Sequence, residues 1–117
     1  MTIQECYAAL DGDYTDVLNR LYSEALVTKF VGKFLSDQSF QLLESSLKAG
    51  SYEEAFRAAH TLKGVAQNLS FTKLYQSSHE ITEALRTKNY DFAVQLMPLV
   101  AEDYARTAAA IQAFQAK

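Results

Sequence analysis

His60, Lys63 and Gly64 are the residues of this 117-residue chain whose types and spacing could do chemistry together. On a helix, positions i, i+3 and i+4 share a face, so an imidazole, an ammonium and a missing side chain would lie within one turn of each other. An exposed imidazole nitrogen is a nucleophile near neutral pH. A cation beside it suits an anionic group such as a phosphoryl, and the glycine removes any wall to an approaching partner. Glycine in a helix interior costs about 1 kcal/mol relative to alanine, so its place next to the histidine reads as a need for close approach. The plain structural alternative is a solvated histidine followed by a tolerated glycine.

The segment that must position them runs from Ser51 to Leu69. At 100° per residue, Ala55, Ala58, Ala59, Leu62, Val65, Ala66 and Leu69 gather on one side. Glu53, Phe56, Arg57, His60, Lys63, Gly64 and Gln67 gather on the other, so His60 points away from the core. Ser51-Tyr52-Glu53-Glu54 has the form of a capping box, and Gly50 closes the preceding helix.

The remaining chain supplies the scaffold. Ile3, Cys6, Tyr7 and Leu10 form one short helical series, and Tyr14, Val17, Leu18 and Leu21 a second. A longer series from Ser23 carries Leu26, Val27, Phe30, Phe34 and Leu35, is bent or interrupted at Ser36-Asp37, and resumes with Phe40, Leu43 and Leu47. Ser70 is placed to cap a helix with Phe71, Leu74, Ser78, Ile81 and Leu85. The last helix carries Ala93, Leu96, Val100, Tyr104, Thr107, Ile111 and Phe114, with Pro98 bending but not ending it. Four amphipathic helices joined by short loops predict an all-α fold, an antiparallel up-down four-helix bundle with one or two short N-terminal helices, as one domain over 1–117.

Composition removes several function classes. One cysteine among 117 residues excludes a disulfide framework or multi-thiolate metal site, and a net charge of −3 without a basic run argues against nucleic acid. No apolar stretch reaches a membrane span and the N-terminus lacks a signal-peptide pattern, so a cytoplasmic monomer is expected. No Ser/His/Asp set, Gly-rich phosphate loop or carboxylate pair suggests an independent enzyme. Phe30, Phe34, Phe92 and Tyr104 read as core, and Cys6 as an inert buried thiol.

Ala59-His60-Thr61-Leu62-Lys63-Gly64, followed by Gln67-Asn68-Leu69, resembles the motif of histidine-containing phosphotransfer (Hpt) domains. Those domains are helical bundles of about this size. The resemblance implies that His60 accepts a phosphoryl group and exchanges it with an aspartate of a response-regulator receiver domain, or takes it from a hybrid sensor histidine kinase. Lys63 would contact the phosphoryl group, Gly64 would admit the partner, and Gln67 would line the docking face. No cofactor is implied for this chain; Mg²⁺ is expected on the receiver. The family often has a Gly where Ser70 stands here. It often has Glu or Gln on the following helix to orient the imidazole, and that position is Thr82.

A hairpin about position 69.5 makes His60 level with His79, on a flank with Tyr75, Thr82 and Arg86. His79 and Thr82 are therefore both expected as supporting residues. Ile3, Tyr7 and Leu10 could add to the docking face, on a helix that covers one end of the bundle. Ser78-His79-Glu80-Ile81 also resembles the phosphoacceptor box of sensor-kinase dimerisation domains, but Thr82-Glu83-Ala84 breaks that pattern. A metal site using both histidines lacks an inward-facing pair at i, i+4. A docking module that takes no phosphate is the alternative reading of the same stripe.

Overall fold

The computed structural model describes residues 1–116, which form seven helices and no strand. They are α1 (Ile3–Ala9), α2 (Tyr14–Leu21), α3 (Glu24–Phe34), α4 (Ser39–Lys48), α5 (Tyr52–Asn68), α6 (Thr72–Arg86) and α7 (Tyr90–Gln115). Helices α4 to α7 make the bundle: α5 packs on both α4 and α6, and α7 closes the ring against α6 and α4. Loops of three residues join these helices, so neighbours run antiparallel. Pro98 lies within α7, which continues to Gln115.

The three tight loops share one device. At the end of α5 the Phe71 amide donates to the Ala66 carbonyl at 2.8 Å and the Ser70 amide to the Gln67 carbonyl at 3.1 Å. This is a Schellman turn, which needs a left-handed residue. Ser70 (φ 57°) supplies it here, Gly50 (φ 74°) after α4 and Lys88 (φ 61°) after α6. Gly50 thus ends its helix as the sequence predicts. Ser70 does not cap α6, because its backbone closes α5; Phe71 is the residue before α6 and makes no side-chain cap. Ser51 likewise makes no side-chain cap bond, so the capping box expected there is not formed. A capping box exists instead at Thr2 and Glu5 of α1.

Three helices precede the bundle, one more than the sequence pattern suggested. The bent series from Ser23 to Leu47 is two separate helices. The amides of Ser36 and Asp37 bond back to Lys33 and Phe34, each at 3.0 Å, closing α3. The Asp37 carboxylate then accepts the Ser39 amide at 2.8 Å where α4 starts.

An aromatic cluster ties the N-terminal helices to the bundle. Phe71 packs against Tyr7 and Phe34, with ring centroids 5.7 and 5.2 Å apart, and Phe34 meets Tyr104 at 5.8 Å. Phe40 stacks on Tyr104 at 4.1 Å. The Tyr7 hydroxyl donates to the Leu69 carbonyl at 2.7 Å, so α1 sits on the α5–α6 turn. Helix α1 therefore covers an end of the bundle as expected. Its Ile3, Tyr7 and Leu10 are fully buried in doing so and cannot form part of a docking face. Phe92, read as core from its spacing, is 45% exposed.

Candidate functional site

Helix α5 is amphipathic in the way its sequence requires. Ala55, Ala58, Ala59, Leu62 and Ala66 are buried against α4 and α6, while His60 and Gln67 are exposed. Four alanines on the buried face let neighbouring helices come close, which brings the flank of α6 beside the His60 stripe. Gly64 is exposed, and a β-carbon built on it would meet nothing within 4 Å. Packing inside this molecule therefore gives no reason for a glycine. The open space beside His60 is available to something outside.

The imidazole of His60 lies nearly parallel to the Phe56 ring one turn before it, with centroids 6.1 Å apart. Lys63 is half-buried and forms no ion pair among the described residues. Its nearby anion is Glu83 on α6. A hydrogen bond from Arg86 holds the Glu83 carboxyl below the usual carboxylate range, with the Arg86 charge, His79 and Lys63 adding to the effect. Arg86 donates to Glu83 at 2.9 Å and also lies over Phe56, 5.0 Å from the ring centroid. These contacts link the two helices one turn from His60.

The second histidine is set differently. His79 is half-buried and nearly parallel to Tyr75 at 5.8 Å. Its Nδ1 is buried without a hydrogen-bond partner. Thr82 is wholly buried and donates its hydroxyl hydrogen to the Ser78 carbonyl at 2.6 Å. Only its lone pairs remain to serve an imidazole N–H. Among the described residues, no hydrogen bond joins His60 to Thr82 or His79. Gln67 borders a shallow groove with Tyr75 and Ser70, which is closed on its far side by Asp16 and Arg20 of α2.

Helix spacing brings His60, Lys63, Gly64 and Gln67 onto one stripe, with His79 and Thr82 on the helix beside it. The sequence pattern placed Arg86 on the α6 flank and Glu83 beside His79, but gave neither a role in phosphoryl transfer. The available signal was Arg86 on the same α6 flank as His79, with a carboxylate three residues before it. Among the described residues, no three His, Cys, Asp or Glu side chains gather as metal ligands. Among the same described residues, no helix is long and apolar enough to cross a membrane.

A family model described as "Hpt domain" matches residues 33–116, from the end of α3 through the whole bundle. No curated protein and no solved structure matches the chain.

Proposed function

Given that the chain belongs to the Hpt domain family, a group of phosphotransfer domains without an ATP site of their own, we propose that His60 is its phosphoacceptor. Hpt domains interact with receiver domains and histidine kinases in phosphorelays, and that role implies a histidine reachable by a partner's active site. The observation that carries the assignment is the pairing of exposed His60 with the open space at Gly64. His79 is the other histidine, and its Nδ1 is buried.

In the transfer, an unprotonated ring nitrogen of His60 attacks the phosphorus of a receiver aspartyl phosphate. The N–P bond forms as the P–O bond to the aspartate breaks, and the aspartate leaves as a carboxylate. The proton on the other ring nitrogen passes to solvent or to an acceptor on α6. Lys63 meets the charge on the phosphoryl oxygens. Gly64 allows the receiver's active site to close over the imidazole, and Gln67 lies within its footprint. Thr82 and His79 support the imidazole from the flank of α6. Mg²⁺ enters with the receiver.

The test is transfer from phosphorylated receiver domains in Mg²⁺, read by intact mass as an acid-labile, base-stable label. His60→Gln should abolish the label and His79→Gln should retain it. Loss in His79→Gln alone would move the acceptor to α6. A folded wild-type chain that takes no label from any receiver or kinase would favour a docking module.

A further inference from the structure

A groove of about 320 Å³ opens on the same face, toward the end of the bundle remote from α1. Tyr52, Phe56 and Tyr90 wall it, and all three rings are only half-buried. Tyr52 and Tyr90 stack with centroids 3.8 Å apart and planes within 6°, making a preformed aromatic surface between the starts of α5 and α7. Arg86, paired with Glu83, and the exposed Lys88 stand on its rim with Glu53.

We propose that this groove is a specificity subsite for the receiver domain that docks on His60, taking an apolar side chain with a carboxylate beside it. The proposal rests on the phosphotransfer reading above. Continuity with the transfer face is the first argument. Phe56 belongs to both surfaces, being one turn from His60 and a wall of the groove. Reach is the second. Tyr52 precedes His60 by eight residues, about 12 Å along a helix. A standard interface covers about 800 Å² per partner, a disc of about 16 Å radius, so a receiver centred on His60 extends over the groove. Charge is the third. Lys88 forms no ion pair among the described residues, so it can meet a partner's carboxylate in a chain whose net charge is −3. Rigid aromatic walls that lose little conformational freedom on binding are suited to anchoring an apolar side chain.

The experiment compares wild type, Tyr90→Ser and Lys88→Asn in transfer from a panel of phosphorylated receiver domains, varying receiver concentration. Asparagine tolerates the left-handed backbone at Lys88, so that variant keeps the turn while losing the charge. Direct phosphorylation of His60 by phosphoramidate, which needs no docking, runs in parallel. For the receivers that serve wild type best, each variant should raise the half-saturating concentration at least fivefold. The saturated rate and the phosphoramidate rate should stay unchanged, and Lys88→Asn should also weaken the salt dependence. Half-saturation within twofold of wild type in both variants would overturn the subsite and leave the transfer reading standing. A wild-type chain that takes no label from any receiver would overturn both. A wild-type dimer that Tyr90→Ser converts to monomer would give the groove to a second copy of this chain, and so overturn the proposal.

Discussion

The guanidinium of Arg86 lies 5.0 Å from the centroid of the Phe56 ring, so these residues of α6 and α5 stand side by side. Residues on the two helices then face each other about position 71. Gln67 and Tyr75, which share the wall of one groove, obey the same register. Carried along both helices, that register leads us to expect His60 level with Thr82, and Lys63 with His79. A hairpin centred on 69.5 would instead place His60 opposite His79. The Schellman turn moves the centre past 69.5, because it spends Leu69, Ser70 and Phe71 on reversing the chain.

On that register Thr82 is the residue of α6 we expect beneath His60, with its lone pair receiving the imidazole N–H. Thr82→Val keeps the volume and removes that acceptor. Transfer should slow several-fold, and the ¹⁵N shifts of the His60 ring should move toward a tautomer average. Unchanged ring shifts would pass the supporting role to His79.

Lys63→Ala should slow transfer about tenfold, equivalent to about 1.4 kcal/mol of barrier, with half-saturation by receiver unchanged. Lys63→Arg should recover part of the loss, since it returns the charge at a longer reach. Wild-type kinetics in Lys63→Ala would remove this cation from the site.

Gly64 separates stability from function. An added β-carbon meets nothing, so Gly64→Ala should stabilise the helix by about 1 kcal/mol. Gly64→Gln should fold at least as well as wild type, yet slow transfer tenfold or more by filling the approach to His60. Melting and transfer kinetics on the same preparations check both halves. Equal transfer rates would sink the steric argument.

The sequence carried the stripe because it depends on one helix and its 100° repeat, which composition cannot disguise. His60, Gly64 and Gln67 came out exposed, and the alanine face came out buried. Less legible were features set by several elements at once. Ile3, Tyr7 and Leu10 look like a free apolar helix until Phe71 and Ala110 are known to lie against it. Ser70 has the type of an N-cap, but the turn it occupies demands a left-handed backbone. Arg86 reveals itself only across the hairpin, through a ring 30 positions away.

Ser70 does two jobs that substitution can separate. Its backbone is left-handed, and its hydroxyl accepts from Arg20 at 2.9 Å and donates to Asp16 at 2.6 Å, fastening α2 to the turn. Ser70→Ala should cost about 1–2 kcal/mol in denaturant melts, since the bonds go and the backbone strain stays. Ser70→Gly loses the same bonds but relieves about 1 kcal/mol of left-handed strain, so it should be the more stable variant. The reverse order would refute the assignment of strain to this turn. Asp16 is held below its usual range, first by the Ser70 bond and then by Arg20. Its contribution is present above about pH 4 and fades as pH falls further, so the difference between wild type and Ser70→Ala should narrow in acid.

At the other pH extreme the sensitive group is Cys6. Burial raises its thiol from the ordinary value of 9 to about 11, while Sγ donates to the Ala110 carbonyl at 3.6 Å. The native thiolate at pH 8 should be about 100-fold scarcer than in the unfolded chain, so a disulfide reagent should react slowly with native protein and rapidly in denaturant. A raised value means the unfolded thiol ionises first, so the stabilising contribution is complete below about pH 9 and is lost as pH climbs toward 11. Cys6→Ala removes this group and should flatten the fall of the melting midpoint between pH 8 and 10.5. A residual slope should persist, because burial also pushes up the neighbouring Tyr7 phenol. If Cys6→Ala and wild type fall in parallel, the alkaline loss belongs to the phenols pushed up beside it, Tyr7 and Tyr14, and not to the thiol.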